Sequence, residues 1–191
     1  MLATNEFLWI SRVPETIVEA KILVAKPDLE VNWVVIENGY RYSANRSNYG
    51  DIAQHWILVF SEQAYSRERA TFETNLEKQD EKAKKELWHV SNQVYGCEND
   101  AKKALEKAMK KFPFHEMIGI KIEAIEKFSG KGRPKPDTSK QIVGYKISGE
   151  IKRNDSSIAA ELSTKGRFII AYPQKQLGGE VDHGIAPQRV L

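Results

Sequence analysis

The sequence predicts an α+β fold: an antiparallel β-meander and a later pair of strands, separated by a long helical hairpin. Three observations predict it. Between Glu62 and Lys111, apolar residues recur three and four apart, at Phe72, Leu76, Ala83, Leu87, Val90 and Val94, then at Ala101, Ala104, Leu105, Ala108, Met109 and Phe112. That recurrence is the stripe of an amphipathic helix. Upstream, Asn38-Gly39 separates two β-rich runs, and both residue types take the positive φ that a two-residue hairpin turn demands. Downstream, Ile118, Ile120 and Ile122 alternate with Gly119, Lys121 and Glu123, and Val143, Tyr145 and Ile147 alternate with Gly144, Lys146 and Ser148. A period of two marks half-exposed strands.

Taken in order, Phe7 to Val13 is a short apolar run of β-formers closed by Pro14. Proline disfavours helix at the residue before it and starts a helix well. Glu15 to Lys26 should be that helix, acidic at its beginning and basic at its end as the helix dipole favours, and Pro27 should stop it. Val31 to Ile36 and Tyr40 to Tyr42 flank the Asn38-Gly39 turn, and a second polar turn around Asn45 to Gly50 leads through Ile52 to a strand from His55 to Phe60. The helical stripe breaks once, at Tyr95 to Asp100. There Gly96 is expected to be left-handed, ending one helix, and Asn99 or Asp100 to cap the next. After the second strand pair, Asp155 or Ser156 should cap a short helix that Gly166 ends, and Arg167 to Ala171 should be a buried strand. From Pro173 neither period holds, so an irregular tail is expected.

Totals bound the chemistry. A hydrophobic fraction of 41% with 29% charged residues suits a globular chain, and no apolar run approaches the roughly 20 residues that cross a bilayer, so no membrane partner is expected. Met1 to Phe7 lacks the basic flank and apolar block of a secretory signal, and a single cysteine, Cys97, forms no internal disulfide. A reducing, cytoplasmic location follows as the expectation. Cys97 and the four histidines give no metal-ligand spacing. The acids fall on helices or in turns, among them Asp51, Glu98, Asp100, Asp137 and Asp155, each with a local role. Asp182-His183 is a lone adjacent pair. No catalytic residue and no metal ligand is assigned.

The charge distribution is more telling than the net charge of +3. From Lys127 to Lys140 the bases Lys127, Lys131, Arg133, Lys135 and Lys140 meet only Asp137. Gly130, Gly132, Pro134 and Pro136 bar regular structure there, leaving a basic loop. Such a loop either closes on phosphates through Lys131, Arg133 and Lys135 or is a solubilising hairpin tip. In the meander, Arg41 and Arg46 stand among Trp33, Tyr40, Tyr42, Tyr49 and Trp56. That mixture can stack on bases and touch phosphates, or pack across strands.

Four stretches carry a resemblance: Phe7-Leu-Trp-Ile-Ser-Arg-Val-Pro14, Tyr49-Gly-Asp-Ile-Ala-Gln-His-Trp-Ile-Leu-Val-Phe-Ser61, Gly132-Arg-Pro134 and Lys165-Gly-Arg-Phe-Ile-Ile-Ala171. In this order and rough spacing, the chain resembles bacterial insertion-sequence transposases of the DDE class, specifically the group whose ribonuclease-H-like core is split by a β-rich insertion. His55 departs from the arginine of that pattern, and Tyr172 from its Ala-Thr-Asn continuation. The resemblance implies a partial ribonuclease-H-like core at 1–30, an insertion domain at 31–164 that includes the helical hairpin at 62–111, a return strand at 165–172 and an irregular tail at 173–191. It further implies cleavage and strand transfer of DNA at transposon ends by Mg²⁺ or Mn²⁺. The catalytic carboxylates of the family fall before the first stretch and after the last, so the expected object is a transposase fragment inactive alone, with no cofactor of its own. Its partners would be DNA and a second copy of the chain. The alternative is a stand-alone DNA-binding or dimerisation module.

Overall fold

Alternation along the strands decides how the first layer forms. The computed structural model describes residues 9–128 and 139–174. Its chain divides into two compact units, the first comprising Met1–Glu62 with Arg167–Leu191 and the second Gln63–Gly166.

Unit 1 holds five strands: β1 (Ser11–Val13), β2 (Val34–Val35), β3 (Tyr40–Ser47), β4 (Gln54–Ser61) and β7 (Arg167–Pro173), with helix α1 (Val18–Val24) between the first two. Their order in the sheet is β1-β7-β4-β3-β2, and every neighbouring pair is antiparallel. Trp56 and Leu58 of β4, Ile169 and Ala171 of β7 and Val13 of β1 share one face and meet Ala20, Leu23 and Val24 of α1. The three helix residues are spaced three and four apart, so one turn of α1 covers the sheet. Leu58 and Ile169, opposite one another in the ladder, are 0% and 1% exposed.

The predicted hairpin turn is present, with Asn38 at φ 61° and Gly39 at φ 74°. Three boundaries differ from expectation. Helix α1 starts at Val18, because the chain first makes a turn in which the Ile17 amide donates to the Pro14 carbonyl at 3.2 Å. Strand β2 is only Val34–Val35, since Asp28–Glu30 forms a single 3-10 turn and Val31 is drawn into the core. Asn45 to Ser47, expected in a turn, continue β3. The chain reverses instead at Tyr49–Asp51, where Gly50 and Asp51 both have positive φ.

Unit 2 contains α2 (Glu62–Asn92), α3 (Glu98–Met109), the ribbon strands β5 (His115–Phe128) and β6 (Lys140–Arg153), and α4 (Asp155–Thr164). The first residue of α2 closes unit 1, so the chain passes from β4 straight into the helix. The helical hairpin expected at 62–111 is present, but its break has another cause. Gly96 is not among the residues with positive φ. Tyr95 leaves the helix to exchange two backbone hydrogen bonds with Tyr145 of β6, at 2.8 and 2.9 Å. The cap of α3 is Cys97, not Asn99 or Asp100, and its Sγ accepts from the Asp100 amide at 3.4 Å. Met117, Ile122, Tyr145 and Ile147 on the inner face of the ribbon pack on Val90, Ala101, Leu105 and Ala108 of the helices. Gly119, at φ 62°, sits in a bulge between Ile118 and Lys121, an extra residue that a left-handed glycine accommodates.

Helix α4 begins one residue before expectation. Asn154 Oδ1 accepts from the Ser157 amide at 3.0 Å, so Asn154, not Asp155 or Ser156, is the cap. Gly166, at φ 71°, ends the segment, and its amide donates to Glu68 Oε2 at 3.0 Å. The division between the units falls after Glu62 and after Gly166, and β2, β3 and β4 join the same ladder as β1 and β7. Among the described residues no helix is long and apolar enough to cross a membrane.

Candidate nucleic-acid interface

The basic residues Lys131, Arg133 and Lys135 lie on the chain between β5 and β6, outside the described residues. What is described is the ribbon they join. On its outer face Glu116 stands opposite Lys152 and Glu123 opposite Lys146, cross-strand pairs of opposite charge that favour this register. Nearest the basic segment, Lys140 Nζ lies 3.3 Å from Glu126 and 5.6 Å from the centre of the Phe128 ring.

The other end of the ribbon is tied to α2. His115 and Arg153 are opposite one another, and both hold Asp80. Arg153 donates through Nε at 3.1 and 3.2 Å and through Nη2 at 2.6 Å, and His115 Nε2 lies 2.7 Å from Oδ1. Because the Asp80 carboxylate only accepts, Nε2 carries the proton, and the buried Nδ1 has no partner among the described residues. The Arg153 hydrogen bonds hold the Asp80 carboxyl below its usual range; burial opposes them and His115 adds to them. A carboxyl with a depressed folded pKa stabilises above its unfolded pKa, near 4, and that contribution disappears as pH falls through the lower folded value. Asp80→Asn should therefore cost about 1–2 kcal/mol at neutral pH, the size expected for charge-assisted bonds to a half-exposed arginine. The cost should vanish at pH values below the folded pKa, as melting curves over an acid series would reveal. A cost independent of pH would refute the assignment.

Arg41 and Arg46 part company. Arg41 stands in register with Phe60, which in turn pairs with Arg167 on the face towards α1. Its Nη2 donates to Asp28 Oδ2 at 2.9 Å, and its guanidinium carbon lies 4.6 Å from the Trp33 ring centre and 4.3 Å from that of Phe60. The guanidinium is thus engaged within unit 1. Arg46 is exposed and has no ion pair among the described residues. It contributes to a cleft of about 230 Å³ with Glu19, Lys26, Asn45, Ser47 and Trp56, where Ser47 Oγ donates to Glu19 at 3.1 Å. Of the meander aromatics, Trp56 is 2% exposed and packs in the core, with its Nε1 donating to Gln54 at 3.0 Å, and Trp33 donates to Asp28 at 3.1 Å.

Two arrangements carry no signal in the sequence. One is the Asp80, His115 and Arg153 cluster. The other is Arg167, 5% exposed, which donates to the carbonyls of Val24 at 2.8 Å and Lys26 at 2.6 Å and to Asp28 Oδ1. Burial lowers its pKa from the usual guanidinium range, and the Asp28 charge opposes that shift.

The described residues do not fit a two-ion site. Among them no three His, Cys, Asp or Glu side chains are grouped so as to hold a metal ion. Asp28 and Asp80 are occupied by arginines, and Asp182-His183 lies outside the described residues. No protein-family model, no curated protein and no solved structure matches this chain.

Proposed function

We propose that this chain serves DNA transposition as the DNA-holding scaffold of a DDE transposase. The observation that supports it is topological. Three of the four stretches that carry the resemblance contribute β1, β4 and β7, which lie side by side in one sheet in the order β1-β7-β4. All of unit 2 is inserted between β4 and β7. On this reading β1, α1 and β7 belong to a partial ribonuclease-H-like core, and the inserted unit presents a β-ribbon whose two strands are joined in sequence by a basic segment. Each ribbon strand is 14 residues long, and the major groove of B-DNA admits a two-stranded ribbon. Lys131, Arg133 and Lys135 would then neutralise phosphates, which gives affinity without sequence choice. The resemblance implies that the Mg²⁺ or Mn²⁺ ligands of such an enzyme fall before the first stretch and after the last.

Salt dependence tests the reading. For the full chain on duplex DNA, replacing Lys131, Arg133 and Lys135 with Gln should reduce the slope of log affinity against log salt by about 2.7, at roughly 0.9 for each phosphate no longer neutralised. An unchanged slope, or no duplex binding by the parent chain, would remove the reading.

A further inference from the structure

The two faces of the unit 1 sheet carry different chemistry. One is filled by α1. No described element of unit 1 covers the end of the other that bears Arg46, His55 and Tyr172, although Val59 and Ser61 farther along that face are only 9% and 4% exposed; strand pairing fixes its membership. His55 pairs with Arg46 on one side and Tyr172 on the other. One rung along, Ile57 pairs with Ile170, which pairs in turn with Arg12. The His55 and Tyr172 rings are stacked, 5.0 Å apart and inclined by 19°. Arg12 lies 5.1 Å from the centre of the Phe168 ring on the same face. Arg12 and Arg46 are exposed, Tyr172 is 37% exposed, and neither arginine has an ion pair among the described residues. No Asp or Glu occupies a strand position of this face. Glu19, which borders the cleft that Arg46 also lines, accepts from Ser47, and Asp28 accepts from Arg167.

We propose that this open face is a platform for unpaired nucleic-acid bases, which stack on the His55 and Tyr172 pair while Arg12 and Arg46 meet the phosphates. The proposal rests on the nucleic-acid reading above and names a second ligand form for it. A twisted sheet presents ring faces, and a duplex offers its base faces to nothing but its own neighbours. A single strand exposes base faces, and aromatic stacking with flanking arginines is sequence-tolerant. Positive charge that no carboxylate pairs with complements phosphate.

The test uses the full 191-residue chain and fluorescent oligo-dT of about 12 nucleotides, within the span of known single-strand sites. His55→Ala with Tyr172→Ala should weaken oligo-dT binding by about tenfold or more, the loss typical of removing a stacking ring. Tyr172→Phe, which keeps the ring, should lose far less than Tyr172→Ala. Should the double alanine variant not fold, Arg12→Gln with Arg46→Gln decides the matter: the salt slope for oligo-dT should fall by about 1.4, roughly 0.7 for each phosphate released. Parent-like binding by the ring-less variant, or an unchanged slope for the arginine variant, overturns the platform. Equal competition by poly-glutamate also overturns it, since charge alone would then explain binding. Duplex binding without oligo-dT binding overturns the platform and leaves the transposase reading standing. The reverse supports the platform and counts against the basic segment. Binding of neither overturns both.

Discussion

Arg167→Ala should lower the stability of the protein by about 2–4 kcal/mol, the loss expected when a buried guanidinium is taken from two carbonyls and from a half-exposed carboxylate that keeps a second arginine. The guanidinium is almost wholly enclosed and serves three acceptors, the carbonyls of Val24 and Lys26 and the Asp28 carboxylate. Its carbon also lies 5.5 Å from the Trp33 ring centre. Truncation to alanine strands two carbonyls at the end of α1 and halves the cationic company of Asp28, which retains Arg41. Arg167→Lys should recover only part of the loss, because one ammonium cannot reproduce a planar fork reaching three acceptors. Urea denaturation followed by tryptophan fluorescence reads the change, since Trp33 and Trp56 both belong to unit 1. A loss under about 1 kcal/mol would show that water replaces the guanidinium at little cost.

Ile147→Ala should be nearly as severe in unit 2, costing about 3 kcal/mol through the cavity it leaves. Ile147 is 2% exposed and pairs with Ile122 on the inner face of the ribbon. Of the five other buried members of its cluster two are alanines, so little buried bulk can move in. Hydrogen exchange gives the local readout. Amides of β5 and β6 should lose protection by about a hundredfold, the equivalent of roughly 3 kcal/mol. Ile142→Ala, at a position 57% exposed, should change stability by no more than about 0.5 kcal/mol. Equal effects at the two positions would mean that the ribbon is not docked by its inner face.

Local chemistry was legible in the sequence wherever it leaves few alternatives. Asn38-Gly39 announced its turn because the positive φ at both residues excludes most other residue types. The 3.6-residue stripe announced α2 and α3, and period-two alternation announced β5 and β6. The place where the helices break was equally legible, but not its cause, since Tyr95 is pulled out by Tyr145, far along the chain. Sheet order escaped for the same reason: nothing local to β1 names β7 as its neighbour. Neither did the charge clusters announce themselves. Asp80 finds His115 at a separation of 35 residues and Arg153 at 73, and Arg167 finds Asp28 at 139. Arg41 and Arg46 show the middle case. Five residues apart on one strand, they must point to opposite faces. Only the position of α1 decides which of them is enclosed.

The hydrogen bond from the Gly166 amide to Glu68 bears on the order in which the chain folds. Pairing β4 with β7 brings Phe60 against Arg167, a closure of about a hundred residues if everything between them is still a random coil. Once Gln63–Gly166 has condensed, that bond keeps its two ends within reach, and only a few loose residues remain to be drawn together. On a logarithmic closure law the difference is about 2 kcal/mol, so the central ladder of unit 1 assembles fastest on a chain whose inserted half is already native.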